Sequence, residues 1–184
     1  MISEARRKEL ESLCNQFRRD VLQTIHDAHS GHPGGSLSVC EILTVLYLEH
    51  AQVYPDAPGR EDQDRIVLCK GHAAPMLYRV LAEKGYFSKE TMSTLRQVNS
   101  VLQGHPCTHT PGVDIPSAAQ GMALGMRLKA LDRYSYAILG DGEIDEGTVW
   151  EAAMSAAKFK LDHLIAVIDR NRVQLDGTTD NIMP

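Results

Sequence analysis

Apolar positions along the chain fall into two patterns. Leu10, Leu13, Cys14, Phe17, Val21 and Ile25 recur at helical spacing, which predicts one buried stripe on a first helix. That helix should stop at "HSGHPGG", where proline and glycine break the pattern. "SVCE" has the form of a capping box, Ser38 with Glu41 three residues on, and predicts a second helix running to Leu48. The other pattern is the short continuous apolar run: "RIVLC" at 65–69, "YSYAIL" at 134–139 and "LIAVIDR" at 164–170. Helical stretches separate these runs, at 74–84, at "AAQGMALGMRLKAL" (118–131) and at 146–160. Ser88 should cap a further short helix, and 99–117, rich in Pro, Gly, His and Thr, reads as irregular.

Strands that are apolar throughout and alternate with helices predict an α/β fold, a parallel sheet flanked by helices on both faces. No repeat or low-complexity segment divides residues 1–184, so one domain is expected. In open parallel sheets ligands sit beyond the carboxyl ends of the strands. Three polar residues have that address: His72 after "RIVLC", Asp141 after "YAIL" and Asn171 after "LIAVID".

Composition narrows the picture. Apolar content of 43% and charged content of 23% are those of a globular chain rather than a disordered one. A net charge of −5 argues against nucleic acid and anionic membranes as partners. No apolar run is long enough to span a bilayer, and the charged N-terminal stretch has no signal-peptide core. Four cysteines are scattered without a CxxC pair, so we expect reduced thiols and a cytoplasmic protein.

The chemistry concentrates at "AILGDGEIDEG". Gly140 and Gly142 permit a tight turn and let a ligand approach the backbone, and a following helix start suits a phosphate. Asp141, an anion between them, should avoid a phosphate unless a divalent cation stands between the two. Asn171 offers an amide oxygen on the same sheet edge, and Arg172 and Val173 offer backbone carbonyls. The plainer alternative is a strand-to-helix turn with Asp141 as N-cap. A dinucleotide site is not indicated, since no G-x-G-x-x-G follows any strand.

The pairing of the two strand ends shifts the balance. Twenty-eight residues separate Gly142 from Asn171, and "GDGEIDEGTVWEAAMSAAKFKLDHLIAVIDRNRVQLDG" (140–177) resembles the metal- and diphosphate-binding stretch of transketolases. "SGHPGG", "CKGHAAP" and "QGHPC" resemble transketolase segments as well. The resemblance implies a thiamine diphosphate-binding fold, with Mg²⁺ (or Ca²⁺ in its place) held by Asp141, Asn171 and the Val173 carbonyl. Gly140, Gly142, the Glu143 backbone, His72 and Asn171 would hold the cofactor. His32 and His105 would line the substrate channel against the donor sugar, and Glu146 and Glu151 would lie at a subunit interface. His26, His29, His50, His109 and His163 are read as surface or structural residues, and Trp150 as a packing anchor.

The same resemblance implies the reaction: transfer of a two-carbon ketol unit from a ketose phosphate to an aldose phosphate. No part of the chain matches the half of transketolases that binds the aminopyrimidine and carries its activating glutamate. The chain is therefore similar to the N-terminal subunit of split transketolases, active only with a C-terminal subunit in a dimer of heterodimers. A 1-deoxyxylulose-5-phosphate synthase-like enzyme, a dehydrogenase E1-like subunit and a non-catalytic scaffold are the alternatives. Transketolases also carry a Gly-rich turn of the type "TGSLGQGLS" where Ser117 here meets Ala118. We expect that loop between 117 and 118 in the full polypeptide, and a diphosphate domain that continues beyond Pro184.

Overall fold

The computed structural model describes residues 2–115, 118–174 and 177–183. Helix α1 (Glu4–Asp27) starts behind Ser3, whose side chain accepts a hydrogen bond from the Arg6 N–H. It buries Leu10, Cys14, Phe17 and Val21, the stripe predicted from the spacing. Two short helices follow, α2 (Pro33–Ser38) and α3 (Cys40–Val45), the latter running on as a π-helical turn through His50. After a loop come strand β1 (Arg65–Leu68) and helix α4 (Ala74–Lys84), buried from Ala74 to Ala82. Helix α5 (Ala119–Leu128), strand β2 (Ser135–Gly140), helix α6 (Gly147–Lys158) and strand β3 (Leu164–Asp169) complete the alternation. A small antiparallel pair, β4 (Val173–Gln174) with β5 (Gly177–Thr178), and a single turn, α7 (Thr179–Ile182), close the chain.

The three main strands are parallel in the order β1-β2-β3. Leu68 pairs with Ile138, and Gly140 pairs with Asp169, so all three strands end on one edge. The core lies where α1, α3 and α4 meet β1 and β2, around Phe17, Leu43, Met76, Tyr78, Leu81 and Ile138. A buried arginine locks α4 to α1: Arg79 reaches Asp20 at 2.7 Å and Glu83 at 2.9 Å, with its guanidinium over the Phe17 ring. Helix α5 lies against all three strands.

Three expectations need correction. The helix predicted from Ser38 opens at Cys40 instead, and a separate short helix precedes it from Pro33, a residue pre-shaped for a first helical turn. Ser38 closes α2 rather than opening a helix, and it makes no capping box with Glu41. Its hydroxyl is drawn to Asp169 (2.6 Å), and Glu41 pairs with Arg18 (2.6 Å). The sheet is not evenly covered. Among the described residues helix α6 buries none of its own, and Ile168 on β3 is half exposed. Trp150 is accordingly no anchor within the described residues: it is 61% exposed, and its indole N–H donates to the Ile144 carbonyl.

All four cysteines are free thiols. Among the described residues no helix is long and apolar enough to cross a membrane. The junction expected to carry a Gly-rich loop lies outside the described residues, which omit Pro116 and Ser117; Ala118 itself adopts left-handed backbone, φ 75°.

Candidate functional site

Parallel pairing delivers the predicted residues to one edge. The chain leaves β1 through Cys69 and Lys70 and makes a short 3-10 turn, Gly71–Ala73, that presents His72. It leaves β2 at Asp141, and β3 just before Asn171. The N-terminal turn of α2 brings His32 to the same place, with its ring edge-on to His72 at 5.8 Å between centroids. His105 arrives from the irregular loop. That loop is pinned by Tyr78 of α4, whose hydroxyl is 2.9 Å from the Gln103 carbonyl and 3.1 Å from that of His105.

Two glycines make this crowding possible. A methyl group on Gly35 would sit 2.6 Å from His72 Nε2, and one on Gly71 would sit 2.6 Å from His105 Cδ2. Neither position has room for a side chain while the histidines keep their places. Burial pushes the His72 imidazole below its ordinary pKa; Glu143, 3.9 Å away, pulls it up, and Lys70, His32 and His105 push it further down. A neutral ring with one N–H to donate results at neutral pH. His32 and His105 are both exposed, open to whatever enters from solvent.

Around the Gly-Asp-Gly turn the contacts are tight. Glu143 folds back so that its carboxylate accepts the Gly140 N–H at 2.7 Å. Asp141 is buried, and one of its oxygens accepts the Arg172 N–H at 2.7 Å. The Asn171 amide oxygen accepts the Val173 N–H at 2.9 Å, and its amide nitrogen is 3.4 Å from the Ser38 hydroxyl. Asp141, Asn171 and Val173 thus belong to one hydrogen-bonded unit. Glu146 and Glu151 do not join it: Glu146 starts α6, and both are exposed on that uncovered helix.

Four residues of the site were not assigned to it from the sequence. Lys70 is buried, its side chain only 1% exposed, and its ammonium sits 2.6 Å from Asp169. Ser38 bonds the same Asp169 oxygen at 2.6 Å and receives Lys70 at 3.3 Å. Lys70, Asp169 and Ser38 form a closed polar knot beneath Asn171. The fourth is Gln174, next to Val173, whose amide oxygen is buried without a hydrogen-bond partner among the described residues. For Lys70 and Asp169 the available signal was their address at the end of an apolar run.

The donor set fits a small hard cation shared with phosphates. Among the described residues no three His, Cys, Asp or Glu side chains gather into a cage. The protein offers one carboxylate and neutral oxygens, as Mg²⁺ accepts when a substrate's phosphates supply the rest. The unpartnered Gln174 oxygen beside this set also points to a missing donor.

The chain is similar to known proteins in sequence and in shape. Residues 10–184 match the family described as transketolase, thiamine diphosphate binding domain. An apulose-4-phosphate transketolase subunit of Phocaeicola vulgatus is 40% identical over 182 residues, covering 95% of this chain and 65% of that protein. The 6-deoxy-6-sulfo-D-fructose transketolase subunit SqwG of a Clostridium species is 44% identical over 185 residues, 96% of this chain and 67% of that one. The chain thus spans about two thirds of these relatives. In three dimensions it superposes on transketolase from Campylobacter jejuni with a TM-score of 0.90 at 31% identity, covering 95% of this chain and 30% of that one. Sequence and shape therefore agree over nearly the whole chain, and the chain belongs to the transketolase family through its thiamine diphosphate-binding domain.

Proposed function

We propose that this chain is the diphosphate-binding subunit of a two-subunit transketolase, which moves a two-carbon ketol unit from a ketose phosphate to an aldose phosphate. The observation that carries the reading is the single unit formed by Asp141, Asn171 and Val173, at the same sheet edge as His72, whose imidazole lies 3.9 Å from Glu143. Asp141, Asn171 and the Val173 carbonyl would hold Mg²⁺, with Ca²⁺ able to replace it. His72 and the backbone of Gly142 and Glu143 would hold the diphosphate, with Gly140 leaving the turn its room. When bound, thiamine diphosphate supplies the electron sink for breaking the C2–C3 bond of the donor.

The work left to this chain is binding and proton handling. His72, neutral at working pH, can donate its N–H to a phosphate oxygen without adding a full charge. His32 and His105, exposed at the mouth, are placed to hydrogen-bond sugar hydroxyls and to move a proton near pH 7. The exposed apolar side chains of α6, Trp150 and Met154, together with Glu146 and Glu151, support an interface with further protein. We assign to that role a C-terminal subunit carrying the pyrimidine-binding domain, in a dimer of heterodimers in the cytoplasm.

The test is reconstitution. The chain and its companion, purified together with Mg²⁺ and thiamine diphosphate, should convert a ketose phosphate to a shortened aldose over many turnovers only when an acceptor aldose is supplied. Decarboxylation of pyruvate by the complex would favour the synthase-like or dehydrogenase-like alternative. Ketol transfer at a normal rate by the chain alone would overturn the two-subunit reading.

A further inference from the structure

The residue that follows the Val173 carbonyl is Gln174, on the two-residue strand β4. Its side chain turns back across the turn after β2. A methyl group on Gly142 would lie 3.0 Å from Gln174 Cγ, 3.3 Å from Cδ and 3.4 Å from Nε2, so the amide lies directly over the glycine. Gln174 therefore sits between the two ends of the candidate metal site, with Asp141–Gly142 on one side and Asn171–Val173 on the other. Its amide oxygen is buried and has no hydrogen-bond partner among the described residues.

Buried amide oxygens are seldom left unpaired, because the group loses its water and gains nothing in exchange. The polar side chains on either side of it are matched: Asp141 by Arg172, Asn171 by Val173 and Ser38, Lys70 by Asp169. The exception has a definite chemistry. An amide oxygen accepts and cannot donate, so its missing partner is a hydrogen-bond donor. A diphosphate brings no donor at neutral pH. Mg²⁺ does, since it dehydrates reluctantly and commonly keeps water among its ligands, and a metal-bound water is a strong donor.

We propose that Gln174 is a positioning residue for the metal: its amide oxygen accepts a hydrogen bond from a water bound to the cation and so orients the metal's coordination shell. The inference rests on the cofactor reading above. It adds an outer contact that acts through water rather than a direct ligand. Contacts of this kind, when lost, typically cost about 10- to 100-fold in metal affinity.

The test uses the chain together with its companion subunit and measures Mg²⁺ affinity by calorimetry at saturating thiamine diphosphate. Gln174→Met keeps the length and packing over Gly142 but removes the acceptor. It should weaken Mg²⁺ binding about 10-fold while leaving the melting temperature of the ligand-free protein unchanged or raised. Gln174→Glu restores an acceptor of the same shape and should bind Mg²⁺ at least as tightly as the wild type. A Gln174→Met protein with wild-type Mg²⁺ affinity overturns the inference and leaves the cofactor reading standing. So does a Gln174→Glu protein that binds Mg²⁺ more weakly than Gln174→Met, because the contact is then with an anion. A variant that loses stability in proportion to affinity assigns Gln174 to packing alone and also overturns it. If the wild type binds neither Mg²⁺ nor thiamine diphosphate, the cofactor reading fails and takes this inference with it.

Discussion

Replacing Lys70 with methionine tests whether the knot beneath Asn171 is an obligate pair. Both partners are out of solvent, with side chains 1% and 8% exposed and 2.6 Å between charged atoms. At that separation the attraction is about 6 kcal/mol for an effective dielectric of about 20, and the desolvation of two ions offsets most of it. The intact pair therefore adds little net stability, but an unmatched member is strongly destabilising. With Lys70 gone, Asp169 keeps only the Ser38 hydroxyl among the described residues. Lys70→Met should cost about 3–5 kcal/mol, and Asp169→Asn, which strands the ammonium, a similar amount. The double variant should cost clearly less than the sum of the two and less than either alone, since no charge is then left unmatched. Urea unfolding of all four proteins measures this, provided the slope with denaturant stays constant. In a domain of this size the single variants should melt roughly 6–20 °C lower. Additive losses, or a Lys70→Met cost below about 1 kcal/mol, would show that water reaches the pair and would refute the reasoning.

Other outcomes follow from the same edge. Because burial holds His72 below its ordinary pKa, the unfolded chain takes up that proton first as pH falls. Stability should therefore decline as pH drops through the ordinary imidazole range, and His72→Gln should flatten that part of the profile; an unchanged profile would count against burial as the cause. Gly71→Ala drives a methyl group into the His105 ring, so the reconstituted enzyme should lose donor affinity or turnover with little change in melting temperature. Wild-type kinetics in that variant would remove His105 from the substrate channel. Asp141→Asn keeps an acceptor for the Arg172 N–H but removes the carboxylate; Mg²⁺-dependent binding of thiamine diphosphate should fall by about 100-fold or more, read by calorimetry, while the fold is retained. Undiminished binding would exclude Asp141 as a ligand.

How much of this site the sequence discloses depends on the kind of signal each residue gives. His72, Asp141 and Asn171 are legible because a parallel sheet converts three separate strand ends into one edge, and strand ends can be read from apolar runs. His32 and His105 are legible only through the resemblance of their motifs, since turns give no period to place them. Lys70 stays hidden because a lysine before Gly-His looks like any solvated turn residue, and its burial depends on an aspartate far away in the sequence. Ser38 misleads for a related reason. Its local pattern with Glu41 is a sound helix cap, and a tertiary partner overrides it. Trp150 shows the opposite error: a large apolar side chain predicts burial, and the described residues leave it open on a helix that buries nothing of its own.

The span of the knot has a consequence for how the chain is made. Lys70 and Asp169 lie 99 residues apart, and Asn171 lies 133 residues beyond Ser38. At the usual rate of about 5–20 residues per second, the ribosome needs roughly 5–20 s after Lys70 to synthesise Asp169. Throughout that interval β1 and α4 can condense on α1, but the lysine they would bury has no anion to meet. The nascent core must wait with that strand end open, and its completion is tied to the arrival of β3.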